Sequence, residues 1–351
     1  MHKLTLEKIQ SFSLSQVILP TQSPDLFPFN ITLTTSELFL DECCQCDNAI
    51  DNLLSSIKLT PPKSNAIELV VFSDISINLL TQLTVTCGIS LTSLSAINQR
   101  NNQTSYRFTI TTNELSLSRQ KLITFAENNH IEAAILFNAP KLNQPGLLVM
   151  DMDSTTIKIE CIDEIAILAG VGEQVSAVTE LAMQGKLDFS QSLHQRVATL
   201  ENASEQILAD VAKNIPLMEG LETLITELKQ HNWRIAIASG GFTYFADHLK
   251  HKLNLDAAFA NTLEIIDGKL TGKVLGKVVD AQVKAQCLTL LSNEYNIEKQ
   301  QTVAMGDGAN DLVMMDAANL GIAFHAKSIV KEKADTAINR LGLDCMIHWL
   351  A

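Results

Sequence analysis

Four short apolar runs in the second half of the chain set its expected architecture. They are Gly146 to Met150, Arg234 to Ala238, Thr302 to Met305 and Gly321 to Ala323. Each is continuous rather than alternating, the pattern of a strand buried on both faces of a parallel sheet. Helical stretches separate them, so a doubly wound α/β core is predicted. Between the first two runs lie roughly eighty residues of mostly helical pattern, where a crossover needs only about a dozen. The excess, about 160–230, predicts an inserted helical cap. The first half reads differently. Ile67 to Phe72 is a predicted strand, Ile75 to Cys87 a helix, and Ser90 to Ile97 and Tyr106 to Thr112 two strands around Asn98–Asn102. Leu115 to Asn128 is a further helix and Ile131 to Phe137 a last strand. That β-α-β-β-α-β order over 66–138 is that of a small α+β, ferredoxin-like domain. Residues 1–63, ending at Pro61-Pro62, read only as mixed helix and loop.

Punctuation marks the division. Of 8 prolines, all but Pro216 fall at or before residue 145, and Asn138–Gly146 has the composition of a linker. The expected domains are therefore 1–140 and 146–351. A regulatory or dimerising role is expected for the first, with a homodimer as the assembly it would serve. The length of 351 residues agrees, because single cores stop growing near ~250–300 residues.

Composition narrows the function. With 46% hydrophobic and 19% charged residues the chain is not a disordered one. A net charge of −13 argues against general nucleic-acid binding, since a phosphate backbone would be repelled. No apolar run approaches the ~20 residues of a membrane span, and the N-terminus lacks the apolar core of a signal peptide. A cytoplasmic protein with no membrane partner is expected. The 7 cysteines fit reduced thiols. Cys43, Cys44 and Cys46 cluster, but without a second ligand pair at zinc spacing. Cys161, Cys287 and Cys345 read as small core residues.

The chemistry sits behind the strands, where open α/β sheets bind ligands. After the first run comes Asp151-Met-Asp-Ser-Thr155, after the second Ser239-Gly-Gly-Phe242, after the third Gly306-Asp-Gly-Ala-Asn-Asp311. Asp151, Asp153, Asp307 and Asp311 would crowd negative charge at one rim, which a divalent cation relieves. An all-oxygen donor set favours Mg²⁺. Ser239-Gly-Gly could cradle an anion. Taken singly, Asp153-Ser154-Thr155 reads equally well as a helix cap, Ser239-Gly-Gly as a plain turn, and Lys284 as a solvated helical lysine. Lys284 gains interest only as a counter-charge.

Together these segments resemble the four motifs of the haloacid dehalogenase-like phosphohydrolases: D-x-D-x-T at Asp151–Thr155, then Ser239-Gly-Gly, Lys284 and Gly306–Asp311. The D-x-D-S-T variant, Glu160-Cys-Ile-Asp-Glu164, the segment Ala182–Val197 and the hairpin Leu263–Gly272 resemble the branch of that superfamily that hydrolyses O-phosphoserine. The match spans 147–345. The resemblance implies Asp151 as nucleophile forming an aspartyl-phosphate. It implies Asp153 as general acid, then base. Mg²⁺ would be held by Asp151, the Asp153 carbonyl and Asp307, with Asp311 orienting the set. Ser239, Gly240, Lys284 and Asn310 would bind the phosphoryl group. In the cap, Arg196 would take the substrate carboxylate and Glu160 its ammonium, with Met183 and Phe189 closing the pocket. By local pattern alone, Glu160 and Arg196 read as a solvated helix face, and Met183 and Phe189 as cap core. Two other readings remain open at this point: the same chemistry on another small phosphomonoester, and a regulatory protein that senses an amino acid through 66–138.

Overall fold

The computed structural model describes residues 2–5, 13–14, 30–33, 37–41, 65–72 and 74–351. Cys43, Cys44 and Cys46, and most of 1–63, lie outside the described residues. No helix among the described residues is long and apolar enough to cross a membrane.

Two compact units are present: 1–139 with 335–341 and 345–351, and 140–334 with 342–344. In the first, an antiparallel sheet runs in the order β1-β3-β2-β5-β6-β4-β7. Its strands are β1 (His2–Thr5), β2 (Asn30–Leu33), β3 (Glu37–Asp41), β4 (Ile67–Phe72), β5 (Ile89–Arg100), β6 (Gln103–Thr112) and β7 (Ala133–Phe137). Helix α1 (Ile77–Cys87) lies between β4 and β5, and α2 (Leu115–Asn129) between β6 and β7. Strands β1 to β3 stand where mixed helix and loop was expected. Runs of four or five residues are too short to display a period.

Alternate residues of β4 and β6 build this unit's core. Leu69, Val71, Tyr106, Phe108 and Ile110 pack with Leu80, Leu83, Leu122 and Phe125 of the helices. Glu68, Val70 and Arg107, between them, are buried as well. Arg107 Nη1 pairs with Glu68 Oε2 at 2.7 Å, and Nη2 donates to the carbonyls of His348, Trp349 and Leu350 at 3.2, 3.0 and 2.8 Å. Phe72 meets the rings of His348 and Trp349. The terminal segment, expected to belong with the second part, thus completes the first. A buried guanidinium needs acceptors, and the last residues supply them.

In the second unit the sheet order is β11-β10-β9-β8-β12-β13: β8 (Leu147–Met150), β9 (Arg234–Phe242), β10 (Ala257–Ile266), β11 (Lys269–Leu275), β12 (Thr302–Gly306) and β13 (Leu320–Phe324). All but β11 run parallel. The β10–β11 turn is Asp267-Gly268, both at positive φ (52° and 75°), as a tight hairpin requires. The chain leaves β8 toward β9 and β10 on one side, then places β12 and β13 on the other. The crevice beyond the end of β8 is thus the switch point where such sheets bind ligands. Four cap helices follow β8: α3 (Cys161–Leu168), α4 (Gly172–Met183), α5 (Phe189–Ala198) and α6 (Gln206–Lys213). Asp188 and Gln191 form a capping box that starts α5. Then come α7 (Leu221–Gln230) before β9, α8 (Thr243–Leu253) after it, and α9 (Ala281–Glu294) before β12. The outgoing and returning connections to the cap pair with each other at Ile157 and Leu217.

Candidate active site

The first motif leaves β8 through a tight turn. Ser154 takes the left-handed conformation (φ 56°) and Thr156 Oγ1 donates to the Asp151 carbonyl at 2.5 Å. The turn puts Asp151 at the strand end, buried, with its Oδ1 accepting the Met152 N–H at 2.7 Å. Lys284, fully buried on α9, places Nζ 2.7 Å from Asp151 Oδ2 and 2.8 Å from Asp311 Oδ1. Burial alone would lower the lysine's pKa, but Asp151 and Asp311 raise it above the ordinary value, so it stays charged. The lone helical lysine is therefore the buried counter-charge of the site.

Asp151, Asp307 and Asp311 bring carboxylate oxygens within 4.8 Å of one another. Thr155 Oγ1 donates to Asp307 at 3.1 Å, and the Gly308 N–H donates to Asp311 Oδ2 at 3.0 Å. Burial, then repulsion from Asp151, pushes Asp307 up to about 6 and Asp311 up to about 7. One lysine does not balance three acids, and oxygen donors this close suit a hard divalent cation. The residues fit the group. Asp311 already accepts from Lys284 and Gly308, which suits a residue that orients the others.

The fourth acid departs from expectation. The Asp153 carboxyl is not in this trio; it turns toward α3 and accepts the Cys161 N–H at 3.3 Å. Burial, then Glu160, then Asp151, pushes it up to about 8.

Ser239-Gly-Gly, expected as a loop before a helix, lies inside β9 as an outward bulge. Ala238 pairs with Phe259 and Phe242 with Asn261, so three residues of β9 face one of β10. Ser239 is buried, and its Oγ accepts the Gly241 N–H at 2.9 Å.

These groups open onto one cleft. Asp151, Asp153, Ser239, Gly240, Asp307 and Asn310 form its floor, and Glu160, Phe189 and Arg196 line it from the cap side. Phe189 lies so close over Gly240 that a Cβ there would stand 2.5 Å from its ring. The Arg196 Nε is buried without a hydrogen-bond partner. Burial lowers the arginine's pKa, opposed by Asp163, Glu160 and Asp153. Met183 is a correction: it ends α4 at 71% exposure and does not line the cleft. Ile162, Leu193 and Phe242 supply the apolar wall instead. Sequence reading passed over Ile162, Leu193 and Thr156 and gave Phe242 no role, because single apolar and small polar residues carry no distinguishing pattern.

Residues 146–319 match the family model of haloacid dehalogenase-like hydrolases. The chain is 54% identical over 238 residues to a phosphoserine phosphatase of Vibrio cholerae, covering 68% of this chain and 72% of the relative. It is 56% identical over 229 residues to that of Haemophilus influenzae, covering 65% and 73%. The chain belongs to the phosphoserine phosphatase family. Among solved members of that family, the unliganded probable phosphoserine phosphatase of Vibrio cholerae superposes with a TM-score of 0.68 at 44% identity, covering 83% of this chain and 89% of that one. A phospho-aspartyl intermediate analogue of phosphoserine phosphatase gives 0.56 at 43% identity, over 59% of this chain and all of that one.

Proposed function

We propose that the chain hydrolyses O-phospho-L-serine to L-serine and inorganic phosphate, the last step of serine biosynthesis, through an aspartyl-phosphate on Asp151. The observation that carries this reading is the opposition, across one cleft, of the Asp151–Lys284 pair and the unpartnered Arg196 Nε.

An Asp151 oxygen attacks phosphorus while Lys284 and the Met152 N–H hold the carboxylate's orientation. Ser239, the Gly240 N–H, Asn310 and Lys284 receive the phosphoryl oxygens and offset their charge. Asp153, at about 8, is largely protonated at neutral pH. It hands its proton to the departing serine oxygen, then takes one from the water that cleaves the intermediate. A divalent cation, Mg²⁺ in this reading, would be held by Asp151, Asp307 and the Asp153 carbonyl, with Asp311 orienting them. When bound it would supply positive charge to the phosphoryl group.

Specificity falls to the cap. The planar guanidinium of Arg196 suits the substrate carboxylate, and Glu160 suits the ammonium. Phe189 shields the floor from water. The reading places the enzyme in the cytoplasm, in keeping with Cys87, Cys161 and Cys287 as free thiols.

The test is a substrate comparison with Arg196→Ala. Phosphoserine turnover should fall by about 100-fold while an aryl phosphate loses little, since a desolvated charge-assisted contact is worth roughly 3 kcal/mol. Equal loss on both substrates would sink the assignment of Arg196, and with it the substrate.

A further inference from the structure

We propose that Asn261 is a positioning residue for phosphoryl binding: it locks the peptide group of the Ser239-Gly-Gly bulge and ties that bulge to the segment leading into the Lys284 helix. The proposal rests on the reading above in which Ser239 and Gly240 receive the phosphoryl group.

Asn261 sits on β10 at the register shift opposite Phe242, with 1% of its surface exposed, and it does not line the cleft. Both ends of its amide are used. Nδ2 donates to the Gly240 carbonyl at 2.8 Å, and Oδ1 accepts the Val279 N–H at 2.8 Å.

The Gly240 carbonyl and the Gly241 N–H are two ends of one peptide group. Asn261 holds the first end, and Ser239 Oγ holds the second at 2.9 Å. A peptide between two glycines is the least hindered in rotating, because neither side carries a Cβ. Rotation would turn a carbonyl toward the phosphoryl oxygens, where donors are needed, and would strip the Gly241 N–H from Ser239. The second bond also orients the serine. With its oxygen accepting from Gly241, the hydroxyl is left to point its own hydrogen outward as a donor.

The other end of Asn261 reaches a different element. Val279 precedes Asp280, which caps α9 by accepting the Val283 N–H at 2.9 Å, and α9 carries Lys284 to Asp151. One buried amide thus links two of the groups that must converge on the phosphoryl group. Bulges re-aim side chains in this way. Here the mismatch of three residues against one takes the Gly240 carbonyl out of the ladder, and the Asn261 amide of β10 satisfies it.

The test measures inhibition by inorganic phosphate, kcat and KM for phosphoserine, and melting temperature, all with magnesium present. In Asn261→Ala, phosphate inhibition and kcat should weaken by about 10- to 100-fold, the range for residues that orient a site group. Asn261→Asp keeps the acceptor for Val279 but loses the donor to Gly240, and should show the same loss in phosphate affinity. It carries the test if the alanine variant does not fold. The Ser239→Ala background then separates causes. There, a further Asn261 substitution should cost clearly less than in the wild type, because the hydroxyl it orients is gone. Wild-type phosphate inhibition in a folded Asn261→Asp variant, or full additivity with Ser239→Ala, would overturn the proposal. Should Ser239→Ala itself leave phosphate affinity intact, the phosphoryl-binding role of Ser239 fails, and the role of Asn261 with it.

Discussion

Asp151 is held from two sides, by the Met152 N–H on one oxygen and the Lys284 ammonium on the other. Such a carboxylate can be replaced in shape but not in chemistry. Asp151→Asn should lower phosphate release by on the order of 10⁴-fold or more while leaving the melting temperature close to wild type. The neighbouring acids make a pH prediction. Burial and mutual repulsion raise Asp307 to about 6 and Asp311 to about 7, so protons and a cation compete for these oxygens. As pH falls from 8 to 6 the competitor wins more often, and the half-saturating magnesium concentration should rise by on the order of tenfold. Calorimetric titration at the two pH values checks it; equal affinities would show that the three acids do not hold the ion. At this scale much of the site was legible. Acids behind apolar runs mark a charged rim by themselves. Lys284 was not separable from a surface lysine without the resemblance, because its burial comes from packing that local pattern does not encode. Asn261 was invisible for the same reason: its partners are main-chain atoms of distant segments.

Between elements, α5 comes close over β9. Phe189 follows the Asp188 cap, so the start of the helix fixes where its ring falls, directly above Gly240. Gly240→Ala would bring a Cβ to 2.5 Å from that ring and displace the helix start. Because Arg196 rides on the same helix, KM for phosphoserine should rise severalfold at modest cost in stability; steady-state kinetics beside a thermal melt tests this. The continuous apolar runs identified β8, β9, β12 and β13 without ambiguity. The first part of β10 was missed, since its apolar run Ala257–Ala260 is short and mostly alanine, which favours no strand by itself, and it pairs with β9. The expected loop at Ser239 became a bulge because glycines signal irregular backbone without saying whether pairing resumes beyond it.

On the scale of the whole chain, the compact units do not follow chain order. Residues 335–341 and 345–351 join the first unit, where His348 is buried between Ser105 and Arg100. Its Nε2 faces the Arg100 carbonyl and so carries the hydrogen, leaving Nδ1 to accept from Ser105. Burial, then the charge of Arg100, lowers its pKa from 6.5 to about 4. The unfolded chain therefore binds a proton more readily than the folded one between these values. The stability is present above pH 6.5 and is lost as pH falls toward 4, by about 2 kcal/mol between pH 7 and pH 5. Denaturant melts of the first unit at both pH values, with His348→Gln as a flattened control, would reveal it. Sequence punctuation placed a boundary near 138–146 but could not show this return, because no local signal announces that a terminal segment supplies acceptors to a buried arginine.

That return reverses the usual order of biogenesis. Domains nearer the start of a nascent polypeptide generally finish folding first. Here 140–334 is joined into the chain before the carbonyls that satisfy Arg107 are synthesised. Until residues 348–350 follow, the older neighbour must leave that guanidinium in water or bury it short of acceptors.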